Sequence, residues 1–297
     1  ALVSETWKVL AENVLNKRWK GKMLEACKTG ETKVVQLLLE RYNPEESGLK
    51  IKDDKERTAF MAACNFGHKD VVQLLLDHSE RIELNARGNH GCTAFMLACY
   101  YGHKDVVQLF LDHSDSNIEL NARDNDGWTA FMWACFKGQK DVVQLLLDNS
   151  ERIDLNARNN QAATAVMFAC YNGHKDVVKL LLDSNIELNA RNDKGQSAFM
   201  YACHNGHKDV VKLLLEHSER IDLNARTNLG CTALMSACRN GQKDVVQLLL
   251  DHSERIELNA RSNNGNTAHM WACQYGHRDV VKLLLEVSEV DITLFTI

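Results

Sequence analysis

One hexapeptide constrains this chain more than any other feature. Gly-(His/Gln)-(Lys/Arg)-Asp-Val-Val recurs at Gly67, Gly102, Gly138, Gly173, Gly206, Gly241 and Gly276, at steps of 35, 36, 35, 33, 35 and 35 residues. Thr58, Thr93, Thr129, Thr164, Ser197, Thr232 and Thr267 keep the same phase. A fainter copy precedes them: Met23-Leu24-Glu25-Ala26-Cys27, then Gly30 and the run from Val34 to Leu39. A fixed period of this size means stacked supersecondary units. A single unit cannot bury its own apolar stripe, whereas stacked neighbours can, so the core is quasi-one-dimensional. The repeat therefore overrides the prior of about two domains that 297 residues would otherwise carry.

Each unit reads alike. The Thr or Ser hydroxyl suits the N-cap of a short helix, where it accepts a bond from a free backbone N–H. Phe95, Met96 and Cys99 fall on one side of that helix. Gly102 is placed to end it in the left-handed conformation. A second helix is expected from about Lys104, carrying Val106, Val107, Leu109, Phe110 and Leu111. Ile118-Glu119-Leu120-Asn121 is extended in character, and Asn125-Asp126-Gly127 is a turn signal. The expectation is two antiparallel helices and a protruding hairpin-like finger per unit. Glu56 and Ala162 stand where the other fingers have Gly, so those two fingers are expected to differ in shape or to carry about 1 kcal/mol of backbone strain each.

Thr93-Ala94-Phe95-Met96-Leu97-Ala98-Cys99, Gly102-His103 and Leu120-Asn121-Ala122 together resemble the ankyrin repeat family, and the resemblance covers residues 21 to 297. It implies an all-α solenoid of about eight helix-turn-helix units whose fingers and first helices line a partner-binding groove. Three departures matter. The family's proline is Ala in every strong copy, its histidine is Met (Met61, Met96, Met132, Met167, Met200, Met235, Met270), and most units carry an insertion such as His78-Ser79-Glu80-Arg81. The histidine hydrogen bonds of the family are therefore not carried over, and the insertions are expected to bulge on one surface. The expected organisation is one repeat domain over 1–297. It comprises a capping helix over 1–20, an atypical first repeat over 21–50, and repeats over 51–87, 88–123, 124–158, 159–191, 192–226, 227–261 and 262–297. The capping helix rests on the amphipathic spacing of Trp7, Leu10, Ala11, Val14 and Leu15. The segment from Val290 to Ile297 reads as a small cap or the start of a further unit.

Composition narrows the function. The net charge of −5 disfavours a nucleic-acid binder. No run approaches the roughly 20 apolar residues of a membrane span. Eight cysteines (Cys27, Cys64, Cys99, Cys135, Cys170, Cys203, Cys238 and Cys273) occupy one repeat position and read as small buried residues. Cys92 and Cys231 belong to fingers. Reduced thiols in a cytoplasmic or nuclear setting are expected. The Gly-His histidines read as structural, because Gln139 and Gln242 replace two of them; no metal-binding spacing occurs. His78, His113, His217 and His252, in the insertions, read as solvated. No phosphate loop, dinucleotide fingerprint or nucleophile elbow is present. No catalytic residues, cofactor or metal are expected. The Asn of each Leu-Asn-Ala segment resembles a site of asparaginyl hydroxylation in ankyrin repeats, although its residue type is explained by a turn role.

Comparison among the repeats locates the candidate site. Scaffold positions barely change, and variation concentrates on the fingers and on positions +4, +7 and +8 from the repeat Thr, which share a helix face. From this set the candidate partner-binding residues are Phe66, His90, Leu97, Tyr100, Tyr101, Asp126, Trp128, Trp133, Phe136, Lys137, Phe168, Tyr171, Lys194, Tyr201, His204, Arg239, Trp271, Gln274 and Tyr275. The aromatic content suits binding hot spots. A plain packing role for Trp133, Phe168, Tyr201 and Trp271 is the competing reading. The expected activity is that of a non-enzymatic, monomeric module that binds a protein or peptide. A consensus-like engineered binder and a mechanical spacer are the alternatives.

Overall fold

The computed structural model describes residues 21–42, 48–113, 117–287 and 290. The expected capping helix over 1–20 and the segment 291–297 lie outside them. Among the described residues every regular element is helical. After a helical stretch at 21–29, the α-helices are α1 (Thr32–Arg41), α2 (Ala59–Phe66), α3 (Lys69–Leu76), α4 (Ala94–Tyr101), α5 (Lys104–Asp112), α6 (Ala130–Lys137), α7 (Lys140–Asp148), α8 (Ala165–Tyr171), α9 (Lys175–Leu182), α10 (Ala198–His204), α11 (Lys208–Glu216), α12 (Ala233–Arg239), α13 (Lys243–Leu250), α14 (Ala268–Gln274) and α15 (Arg278–Leu285). The expected all-α helix-turn-helix solenoid is the observed architecture. Contacts gather into two bodies, residues up to 134 together with 144–154, and residues 135–143 together with 155 onward.

Within the first body, α2 packs on α4, and α1, α3 and α5 pack in series. Within the second, α8, α10, α12 and α14 form one layer and α9, α11, α13 and α15 the other. The two helices of a unit differ in burial. In α4, Ala94, Phe95, Met96, Ala98 and Cys99 are all buried, so the first helix is covered nearly all round. In α5 only Val106, Val107, Phe110 and Leu111 are buried, one stripe of an amphipathic helix.

The first helices start as the hydroxyls suggest. Thr58, Thr93, Thr129, Ser197, Thr232 and Thr267 each accept from the backbone N–H of the Met three residues on. Thr164 is the exception, with a buried hydroxyl that has no partner. The substituting Met residues are buried and pack into the core.

Successive units are joined by three polar ladders, each reaching back or forward by one repeat. In the first, the Gly-His imidazole bonds a carbonyl at the end of the preceding first helix: His68 to Lys28, His103 to Asn65, His174 to Phe136, His207 to Tyr171 and His277 to Arg239, at 2.8–2.9 Å. Gln242 makes the same bond to His204, which explains why Gln substitutes for His. In the second, each finger-base Asn bridges to the next unit. Asn85 donates to the Asn117 carbonyl and accepts from the Glu119 N–H, and Asn189 does the same with Arg220 and Asp222.

The third ladder has no precedent in the sequence reading. Arg81, Arg152 and Arg220, in the insertions, donate to carbonyls at the C-terminal ends of the preceding second helices, on Leu39, Leu111 and Leu182. A guanidinium there satisfies orphan carbonyls and complements the helix dipole. The insertions thus fold back: Ser79–Arg81 and Ser253–Arg255 are short 3-10 turns. Their histidines, expected to be solvated, are half-buried, and His78, His217 and His252 bond the carbonyl four residues earlier in their own helix.

The fingers also correct an expectation. Glu56 (φ 57°) and Ala162 (φ 56°) take the left-handed conformation held by Gly127 (φ 79°), Gly195 (φ 72°) and Gly230 (φ 73°). Their amides bond Asp53 and Asn159 just as Gly195 bonds Asn192. These two fingers keep the common shape and carry the strain. What holds that shape is a side chain: Asp53, Asp124, Asn159 and Asn192 each accept from the amides two and four residues on, as Asx turns. The finger that differs is the one starting at Gly88, which has no such side chain. There Asn89–Gly91 form a 3-10 turn with His90 at φ 63°.

Candidate protein-interaction surface

In the first body the candidate residues converge on one hollow. The fingers bring His90, Cys92, Asp124 and Asp126 to the open face of α4 and α6. Met96, Leu97, Tyr100, Tyr101 and Trp133 complete a cavity of about 340 Å³. The Trp128 and Trp133 rings stack with centroids 4.3 Å apart at 26°, and the Tyr100 ring meets Trp133 edge-on at 5.3 Å. Asp124 fixes this wall. One carboxylate oxygen closes the finger turn, and the other accepts from the Trp133 indole N–H at 3.0 Å. Asp124 is only 8% exposed, and the exposed group is Asp126. Phe66 is exposed but lies outside the hollow, against the His68 ring at 6.2 Å.

The second body carries a face of different chemistry. Phe136 meets Phe168 edge-on at 6.2 Å, with the Lys137 ammonium 5.6 Å from the Phe136 ring. Tyr171 meets Tyr201 at 5.6 Å. The Tyr201 hydroxyl accepts from Asn192 at 2.9 Å. Burial raises its pKa, opposed by that bond. Further along, Lys194, His204, Leu229, Ser236, Arg239 and Trp271 are among the residues around a hollow of about 290 Å³. The Arg239 guanidinium lies 5.0 Å from the Trp271 ring and 5.2 Å from the Tyr275 ring, within cation–π range. Burial lowers the His204 pKa, with Arg239 adding to the effect. The Trp271 indole N–H is buried without a partner. Ser262 stands where Asp124 serves Trp133, and the Ser262 hydroxyl accepts from the Asn266 amide. Gln274 is exposed beside Tyr275 in sequence and belongs to neither hollow.

Two groups of variable positions are structural. The residue that opens each finger turn is mostly structural: Asp124, Asn159, Asn192 and Ser262 are buried. At +4 and +7 of the first strong repeat, Ala62 and Asn65 are buried too, and Asn65 accepts from Arg57. Conversely Leu229, 69% exposed at a finger tip, was left out of the candidate set. Its signal was an apolar residue at the position where other fingers carry His90, Asp126 and Lys194.

The cysteine reading holds with one change. Cys27, Cys64, Cys99, Cys135, Cys170, Cys203 and Cys238 are buried, Cys92 and Cys231 half-buried, and all ten are free thiols. Cys273, expected to be buried, is exposed. Its equivalents are covered by the first helix of a following unit, and no described helix plays that part for α14.

No described helix is long and apolar enough to cross a membrane. No curated protein matches the sequence. A family model described as "Ankyrin repeats (3 copies)" matches in overlapping stretches, residues 23–124, 80–159, 116–192, 151–227, 185–262 and 219–296. Its reach from 23 to 296, with helix pairs of the same period throughout, means that the chain belongs to the ankyrin-repeat family.

Proposed function

We propose that the chain is a protein-interaction module that docks a protein or peptide on the face made by its finger tips and first helices, and that it has no catalytic role. Ankyrin repeats are generally protein-interaction modules, which supports the coarse reading. One observation carries the finer one. Several residues that differ from repeat to repeat, among them His90, Tyr101, Asp126, Lys137, Tyr171, Leu229 and Tyr275, are exposed on this face, and they are large, aromatic or charged. Tyr101, Tyr171 and Tyr275 remain 45–48% exposed, leaving apolar area for a partner to cover. The acidic net charge favours protein over nucleic acid as partner. Ten free thiols suit a reducing cytoplasmic or nuclear setting, and the chain is read as acting as a monomer.

The test is capture of a stoichiometric partner by the intact chain, repeated with Tyr100→Ala, Tyr101→Ala and Tyr171→Ala combined. Loss of the partner with unchanged circular dichroism supports docking on this face. Undiminished capture moves the site elsewhere, and the absence of any saturable partner favours a mechanical spacer.

A further inference from the structure

We propose that the hollow between His90 and Asp126 receives the cationic end of a basic side chain, an arginine or lysine presented by the docked peptide. The proposal rests on the reading of this face as the docking surface. It starts from uncompensated charge. Asp124 and Asp126 both line the hollow. Every bond to the Asp124 carboxylate comes from a neutral donor: the amides of Asp126 and Trp128 and the Trp133 indole. The Asp126 carboxylate has no ion pair among the described residues, whereas Asp53 and Glu119, in comparable finger and loop positions, are paired with Arg57 and Arg87. Asp124 is only 8% exposed as a residue, and a carboxylate in so covered a position that lacks a counter-charge favours the arrival of one.

The remaining wall suits the same visitor. Tyr100, Tyr101 and Trp133 present ring surface, and the Trp128–Trp133 stack adds depth behind it. Ring faces attract ammonium and guanidinium groups, most strongly where water is partly excluded. The thiol of Cys92, inside the hollow, is pushed up in pKa first by burial and then by Asp124 and Asp126, so the field of both carboxylates reaches the interior. At the rim, His90 is held at φ 63° in the finger that lacks an Asx side chain. Strained non-glycine backbone of this kind gathers at ligand-contacting positions. An aliphatic side chain would fill the volume but leave both carboxylates unpaired.

The probes are the N-acetylated tripeptide amides Ala-Arg-Ala and Ala-Lys-Ala, with citrulline and norleucine as neutral isosteres of the central residue. The readout is the indole N–H resonances of Trp128 and Trp133 in the intact chain. The expected result is saturable shifts with the cationic probes, weakened by salt, and little response to the isosteres. Asp126→Asn, at an exposed side chain with no structural bond, should weaken binding about two- to fivefold. Tyr101→Ala should do so by a similar factor, while Gln73→Ala, on the exposed side of α3, should leave it unchanged. Equal shifts with citrulline or norleucine, no effect of Asp126→Asn in a folded chain, or no shift with any probe would each overturn the proposal. Partner capture that depends on Tyr100 and Tyr101 would survive those outcomes, so the two readings fail separately.

Discussion

A Cβ added to Gly67 would come within 2.5 Å of Nδ1 of His103, one repeat on, and the same imidazole bonds the Asn65 carbonyl through Nε2 at 2.9 Å. Gly67 (φ 74°) and Gly276 (φ 75°) hold the same repeat position, but nothing lies within 4 Å of a Cβ on Gly276. Gly276→Ala is therefore expected to cost only the left-handed backbone penalty, about 1 kcal/mol. Gly67→Ala should cost clearly more, because the imidazole must move as well. Urea midpoints for the two variants check this; equal losses would mean that His103 yields without cost.

The insertion arginines make a second expectation. Arg81 donates to the carbonyls of Leu39 and Tyr42 at the end of α1. Arg81→Met keeps the aliphatic stem and removes both bonds, so a loss of about 1–2 kcal/mol is expected. It should appear in hydrogen exchange as earlier opening of α1. A loss confined to residues 79–82 would argue against a capping role.

Strain at two fingers has a simple remedy. Ala162 and Glu56 sit at φ 56° and 57°. Ala162→Gly and Glu56→Gly should each stabilise by up to about 1 kcal/mol, seen as a raised midpoint of thermal unfolding. For Glu56 part of the gain is offset by losing its ion pair with Lys52, 3.5 Å away and half-exposed.

Alkaline pH should unfold the chain through its thiols. Burial pushes Cys27 and Cys170 up to about 12 and Cys99 and Cys238 higher still. The unfolded chain releases these protons near pH 8.5, so the folded state binds more protons above that point. Stability is then full below about pH 8.5 and falls as pH rises toward 12, by up to about 1.4 kcal/mol per pH unit for each thiol. Denaturation midpoints at pH 8 and pH 10, compared with a Cys99→Ala, Cys170→Ala variant, test the sign and the source. In the native state Cys273 should react first with a thiol reagent.

Period and residue type made the fold legible. Thr93 and Gly102 mark the ends of α4, and the Val106–Leu111 run marks the buried side of α5. The ladders were half legible: the exchange of His for Gln at Gln242 pointed to a hydrogen bond, but a repeat sequence does not reveal which carbonyl one unit away receives it. Arg81 was opaque for the same reason, because its partner is 42 residues distant. The role of Asp124 was not legible, because a side chain that closes its own turn varies among Asp, Asn, Thr and Ser much as a contact residue varies. Only geometry separates it from Asp126 two positions on.

Asp124 also bears on how such a chain can diverge. At most positions, maintenance of the array and the proposed docking contacts fall on different residues, so Leu229 or Tyr101 can drift without touching a ladder. Asp124 closes a finger with one oxygen and orients Trp133 with the other, and Asn192 closes its own finger with its amide oxygen while its amide nitrogen donates to the Tyr201 hydroxyl. A substitution there alters shelter and signal at once. At those two positions, on the proposed docking reading, selection for a partner and selection for folding cannot act independently.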